Sequence, residues 1–118
     1  MYGLSPDIDL SFLKTREVIQ IAVGLYQIIF AFDEDVNLSI EGKCEHFSSN
    51  GASVWKPGSP GVAASILGLL GQNVVDVHRQ DSSVLELVFS GGDRLLVFDV
   101  SEKYESYSIT RPGETIIV

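Results

Sequence analysis

The sequence predicts a mainly β fold of the α+β class, with two antiparallel β-meanders in a pseudo-repeat and one central α-helix around residues 60 to 70. Three observations carry this reading. Apolar and polar residues alternate along most of the chain, one short segment has the start and stop signals of a helix, and two strand patterns recur 56 to 57 positions apart. The length of 118 residues suits one domain. The chain is therefore expected to be a single domain 1–118, with a first meander over 16–49, a helix over 59–71 and a second meander over 73–118.

In the first half, Val18, Ile19, Ile21 and Val23 lead to Gly24. Tyr26, Ile28, Phe30 and Phe32 then alternate with Gln27, Ile29, Ala31 and Asp33, in a stretch rich in β-branched and aromatic types. That pattern predicts a hairpin turning near Gly24. Asp33-Glu34-Asp35 is the next polar break, and Val36, Leu38 and Ile40 predict a third strand. Gly42 interrupts the pattern. Lys43 to Ser49 makes a fourth strand before the loop Ser48-Ser49-Asn50-Gly51.

The helix is expected from Ser59 as N-cap, Pro60 at the first helical position and Gly71 at the C-terminal cap. In an α-helix Val62, Ile66, Leu69 and Leu70 share one face, and Gly61, Ala64, Ser65 and Gly68 form an opposite face of small residues. No charge occurs from Pro57 to Val75, so the helix is expected to pack on or between the sheets. Any face left bare is then a partner or dimer face.

The second half repeats the plan. A shift of 57 lays Ile28, Phe30 and Phe32 on Leu85, Leu87 and Phe89, the acidic break on Ser90-Gly91-Gly92, and Leu38 and Ile40 on Leu95 and Val97. A shift of 56 lays Ile19 and Ile21 on Val75 and Val77. Tyr104 to Thr110 follows as a strand, then a turn at Arg111-Pro112-Gly113-Glu114 and a last strand from Thr115 to Val118.

Charge narrows the partners. Sixteen Asp and Glu against eight Lys and Arg give a net charge of −8, which disfavours unaided binding to nucleic acid or to an anionic membrane and favours a basic protein. The basic residues are scattered singly, without a stripe. The apolar stretches Val18–Phe32 and Val62–Val75 fall short of the roughly 20 residues of a spanning helix. The N-terminus carries Asp7 and Asp9 without a basic or apolar signal region, so a cytoplasmic protein is expected. One cysteine, Cys44, leaves no disulfide and no Cys-x-x-Cys pair.

Each candidate constellation has a plain structural alternative. Cys44-x-His46 offers two metal-type ligands without a third, so an ordinary strand edge is preferred. His78 beside Asp76 lacks a nucleophile and reads as a solvated pair. Lys56-Pro57-Gly58-Ser59-Pro60-Gly61 precedes a helix start, where amides can hold an anion, yet lacks a P-loop ending and reads as a capping loop. Trp55 is either an anchor for a partner or a pin between the linker and the core, the second being preferred. No catalytic, cofactor-binding or metal-binding residue is assigned, and no enzyme activity is expected.

In the second half, Asn73-Val74-Val75-Asp76-Val77, the run from Leu85 to Leu95, Tyr104-Glu105-Ser106-Tyr107 and the closing Arg111-Pro112-Gly113 resemble a bacterial family of short proteins of unknown function. Small acidic relatives of that kind include immunity proteins that neutralise toxins of bacterial competition, contact-dependent growth inhibition among them. The resemblance thus implies an immunity protein and brings no active site with it. The expected partner is the C-terminal domain of a cognate toxin, a basic nuclease such as an RNase, whose substrate cleft is blocked by carboxylates standing in for phosphate oxygens. Asp33, Glu34, Asp35 and Glu41 are the first choice for that surface. Glu102, Tyr104, Glu105 and Tyr107 are the second, since aromatic anchors beside charge are typical of binding hot spots. One copy is expected in the complex, with a homodimer as an option. The alternative is a non-enzymatic small-molecule or anion-binding module using the loop before the helix.

Overall fold

Alternating burial builds two five-stranded antiparallel sheets whose inner faces share one core. The structure, a computed structural model, describes residues 8–80, 84–99 and 106–118. A short 3₁₀ turn, η1 (Ser11–Leu13), precedes β1 (Val18–Val23), β2 (Ile28–Phe32), β3 (Asn37–Ile40), β4 (Lys43–Ser48) and β5 (Gly51–Trp55). A second 3₁₀ helix, η2 (Pro60–Leu69), precedes β6 (Val74–Arg79), β7 (Val84–Phe89), β8 (Arg94–Phe98), β9 (Tyr107–Arg111) and β10 (Glu114–Ile117). The first sheet has the order β1-β2-β3-β9-β10 and the second β5-β4-β8-β7-β6.

Each half is thus a 3₁₀ segment, a three-stranded meander and a hairpin that crosses to the other half's sheet. β4 pairs with β8 and β9 with β3, so the expected four-stranded meanders are broken after the third strand. The cause lies in burial. An isolated meander leaves its apolar face to water, whereas exchanging hairpins widens both sheets to five strands and lets Cys44, Trp55, Tyr107 and Ile109 complete the shared core.

The halves match in detail at their junction. The Thr15 N–H donates to the Val74 carbonyl and the Gly71 N–H to that of Val18; the Val18 N–H donates to Gln72 and the Val74 N–H to Arg16. Each pair of bonds is one bond repeated after a shift of 56 residues. Bulges fall at the same places, between Val18 and Gln20 and between Val74 and Asp76. Buried Leu10 and Leu13 likewise correspond to buried Ile66 and Leu69.

The helix before β6 is therefore not α, contrary to expectation, but the longer counterpart of η1. Gly61, Ser65 and Gly68 weaken the α state. The Gly58 N–H donates to Leu25, in the turn after β1, and the Gly71 N–H to Val18, so this segment is fastened alongside β1 at both of its ends. Three residues per turn also explain which apolar side chains are buried: Ile66 and Leu69 stack, and Leu70, expected on the same face, is exposed. The side chain of Val62 lies outside the description. Among the described residues no helix is long and apolar enough to cross a membrane.

Burial raises the Cys44 thiol to about 12, with Glu45 adding a smaller push. A raised folded value means full stabilisation below the unfolded value near 9.0 and progressive loss as pH climbs from there towards 12. Stability is expected to fall by up to about 1.4 kcal/mol per pH unit in that window. Denaturant titrations from pH 8 upward check this: Cys44→Ala should flatten the slope, and an unchanged slope contradicts the assignment.

Candidate functional site

The acidic break forms the exposed turn between β2 and β3. The Phe32 N–H donates to the Val36 carbonyl at 2.8 Å and the Val36 N–H to that of Asp33 at 3.4 Å. Closing the turn places two successive non-glycine residues in the left-handed region, Glu34 at φ 59° and Asp35 at φ 56°. A residue such as Glu34 costs roughly 1–2 kcal/mol there and Asp less, and turns of this shape normally use Asn or Asp followed by Gly. The corresponding turn, Ser90-Gly91-Gly92, places a glycine, Gly92, at φ 91°. Glu34 and Asp35 are both exposed. The turn therefore holds two carboxylates out in solvent at a cost in backbone strain.

Asp33 has a structural role. Its Oδ1 accepts the Glu17 N–H at 2.9 Å and its Oδ2 lies 3.6 Å from the Arg16 guanidinium, tying the turn to the start of β1. The equivalent bond in the other half runs from the Asn73 N–H to Ser90 Oγ at 3.0 Å. The free carboxylates of the turn are thus Glu34 and Asp35. Relief of the strain is measurable. Asp35→Gly is expected to stabilise the fold by up to about 1 kcal/mol in chemical denaturation, the gain being trimmed by glycine's unfolded-state entropy; a net loss contradicts the strain argument.

Glu41 does not join this cluster. It is exposed at the other end of β3, six residues from Asp35 and therefore roughly 20 Å away along an extended chain. Its N–H, like that of Gly42, donates to the Ser106 carbonyl. Tyr107 is a correction: it is 1% exposed, faces inward with Ile109 and pairs with Ile40, so it cannot anchor a partner. Alternation along β9 decides this, because a one-residue change of register would turn Ser108 inward instead. Its hydroxyl finds no partner among the described residues, and burial, assisted by Asp99, holds its ionisation above the usual range. Glu102, Tyr104 and Glu105 lie outside the described residues.

Cys44 and His46 occupy the inner face of β4, a central strand and not an edge, and both are buried. His46 Nε2 lies 2.7 Å from Asp93 Oδ2 in the β7–β8 turn, an inward pair that the sequence reading missed. Only the crossing of β4 to β8 brings them together, through the register Phe47↔Arg94. Among the described residues no three His, Cys, Asp or Glu side chains converge on a point that could hold a metal. His78 and Asp76 do form a solvated pair at 3.1 Å, with Lys14 at 3.5 Å. The Val77 N–H, more than His78 and Lys14, holds the Asp76 carboxyl below its usual range. In the loop before η2, the Gly58 and Ser59 amides are spent on Leu25 and Lys56. Trp55 is fully buried in β5, opposite Cys44.

A family model described as a family of unknown function, DUF6188, matches residues 10–118. No curated protein and no solved structure matches the chain.

Proposed function

The chain belongs to this family of unknown function, and from that premise we propose that it is a cytoplasmic immunity protein: it binds the C-terminal domain of a cognate bacterial toxin, a basic nuclease, and blocks the cleft that holds the substrate. One observation carries the reading. Two neighbouring carboxylates, Glu34 and Asp35, stand exposed on a turn whose backbone is strained to hold them there. Nuclease clefts bind phosphates through Lys and Arg, and a projecting pair of carboxylates is shaped to enter such a cleft in their place. The excess of eight negative charges draws a basic domain in at long range. The anion-binding alternative has weaker support, because the Gly58 and Ser59 amides of its loop are already engaged.

Association kinetics test the role of the turn. The probe is a nuclease domain found by sequencing the genes beside the one for this protein, mixed with it at rising salt. Glu34→Ser/Asp35→Ser, with Asp33 left to hold the turn, should slow association and flatten its salt dependence, with little change in folding. Equal rates and equal salt slopes for the two proteins contradict the assignment of the turn.

A further inference from the structure

The internal repeat gives the molecule two equivalent sides, and they differ in chemistry. One is formed by η1 and β6, the other by η2 and β1, each 3₁₀ segment packing against the first strand of the other half. On the η1–β6 side stand Lys14, Asp76, His78 and Arg79, with Lys14 and Asp76 paired at 3.5 Å. The residues 56 positions away on the η2–β1 side are Leu70, Gln20, Ala22 and Val23. Every charged or titratable side chain of one side is thus replaced by a neutral one on the other.

Apolar exposure follows the same division. Of the nine large apolar side chains exposed among the described residues, six belong to the neutral side: Ile19, Val23, Leu25, Tyr26, Leu67 and Leu70. The Gly58 and Gly71 amides donate to the Leu25 and Val18 carbonyls, which lays the η2 segment alongside β1 and its turn, the two stretches that carry these side chains. Neither uncharged stretch, 18–32 or 57–75, brings a charge into it. Charged edges are how sheet proteins keep such surfaces apart, and here one of two equivalent edges has that protection and the other lacks it.

We propose that the η2–β1 side is the contact surface of a homodimer, two copies meeting through this side about a two-fold axis. Charge selects the occupant. A chain of net charge −8 repels its own copies, and the side with no charge is where two copies meet at least cost. A basic partner finds no carboxylate there to pair with. Contact between the neutral side of one copy and the η1–β6 side of another would strip water from Lys14, Asp76, His78 and Arg79, so the like-with-like arrangement is favoured and closes at two copies. Seventeen of the described residues in 19–26 and 57–71 are exposed, a little under the roughly 20–30 that a standard-size interface draws from each partner.

Sedimentation equilibrium on the full chain tests this, with variants that copy the guarded side onto the neutral one. Val23→Arg and Leu70→Lys introduce the residues that the equivalent backbone positions already carry, so the fold should tolerate them. The wild type is expected at twice the mass of one chain at concentrations of about 50 µM, and the double variant at the mass of one, with unchanged circular dichroism and melting. A wild type that stays monomeric overturns the proposal. So does a dimer that survives both substitutions. Should the double variant melt early, Ala22→Lys on the outer face of β1 replaces it, judged by the same two outcomes.

Discussion

Trp55→Ala is expected to remove about 3–5 kcal/mol of stability, enough to leave a large unfolded fraction in a domain of this size. Trp55 is fully buried on β5, and its indole covers the end of the inner row that runs through Cys44, Val97 and Leu85. β5 is an edge strand, so few neighbours can move in to refill the space. The indole N–H has no partner among the described residues, which makes the ring's volume, and not a hydrogen bond, the source of the effect. Trp55→Phe should accordingly cost much less. Urea unfolding followed by circular dichroism measures both, and a loss below about 1 kcal/mol for Trp55→Ala contradicts a pinning role.

Tyr107 gives the second large effect and separates the core from the binding surface. Tyr107→Ala is expected to cost about 3–5 kcal/mol, because it empties a fully packed site where β9 joins β3. Tyr107→Phe is expected to stay within about 1 kcal/mol of the wild type, since a buried hydroxyl without a partner contributes nothing when kept and relieves a desolvation cost when removed. A loss well above that for Tyr107→Phe shows a hydrogen bond to the hydroxyl. Neither result depends on any partner, so the prediction stands apart from the functional reading.

Much of the fold was legible because period-2 alternation is a local signal. Ile28, Phe30, Phe32, Leu38 and Ile40 and their counterparts Leu85, Leu87, Phe89, Leu95 and Val97 are all buried, as the alternation and the shift of 57 indicate. The exchange of hairpins was not legible. The pairs β3–β9 and β4–β8 join residues more than 45 positions apart, and alternation fixes which side chains point inward without fixing the neighbouring strand. β5 escaped notice because Gly51-Ala52-Ser53 looks like a loop, and only the pairing of Ala52 with Phe47 and Trp55 with Cys44 makes it a strand. The helix misled for a different reason. Ser59, Pro60 and Gly71 mark a helical segment of either kind, and Gly61, Ser65 and Gly68 within it weaken the α state.

The candidate site divides in the same way. Exposure of Glu34 and Asp35 could be read from an acidic run between two strands, whereas their left-handed backbone could not. Asp33 looked equivalent to its neighbours until its contact with the Glu17 amide was seen. Tyr-Glu-Ser-Tyr invites the reading of an aromatic beside charge on the surface, yet Ser106 is itself buried and Ile109, the neighbour of Tyr107 in β9's inner row, is a core residue. His46 and Asp93 sit 47 positions apart and meet only through β4's crossing. Nothing local in the sequence marks them as a pair.

Growth of cells carrying a toxin domain found by sequencing the genes beside this one tests the proposed function most directly. The account predicts that co-expression of the wild-type protein restores growth, that Glu34→Ser/Asp35→Ser restores it less well, and that purified complex contains both chains. Cells that stop growing as fast with this protein as without it, or a gene neighbourhood with no toxin domain in it, contradict the account.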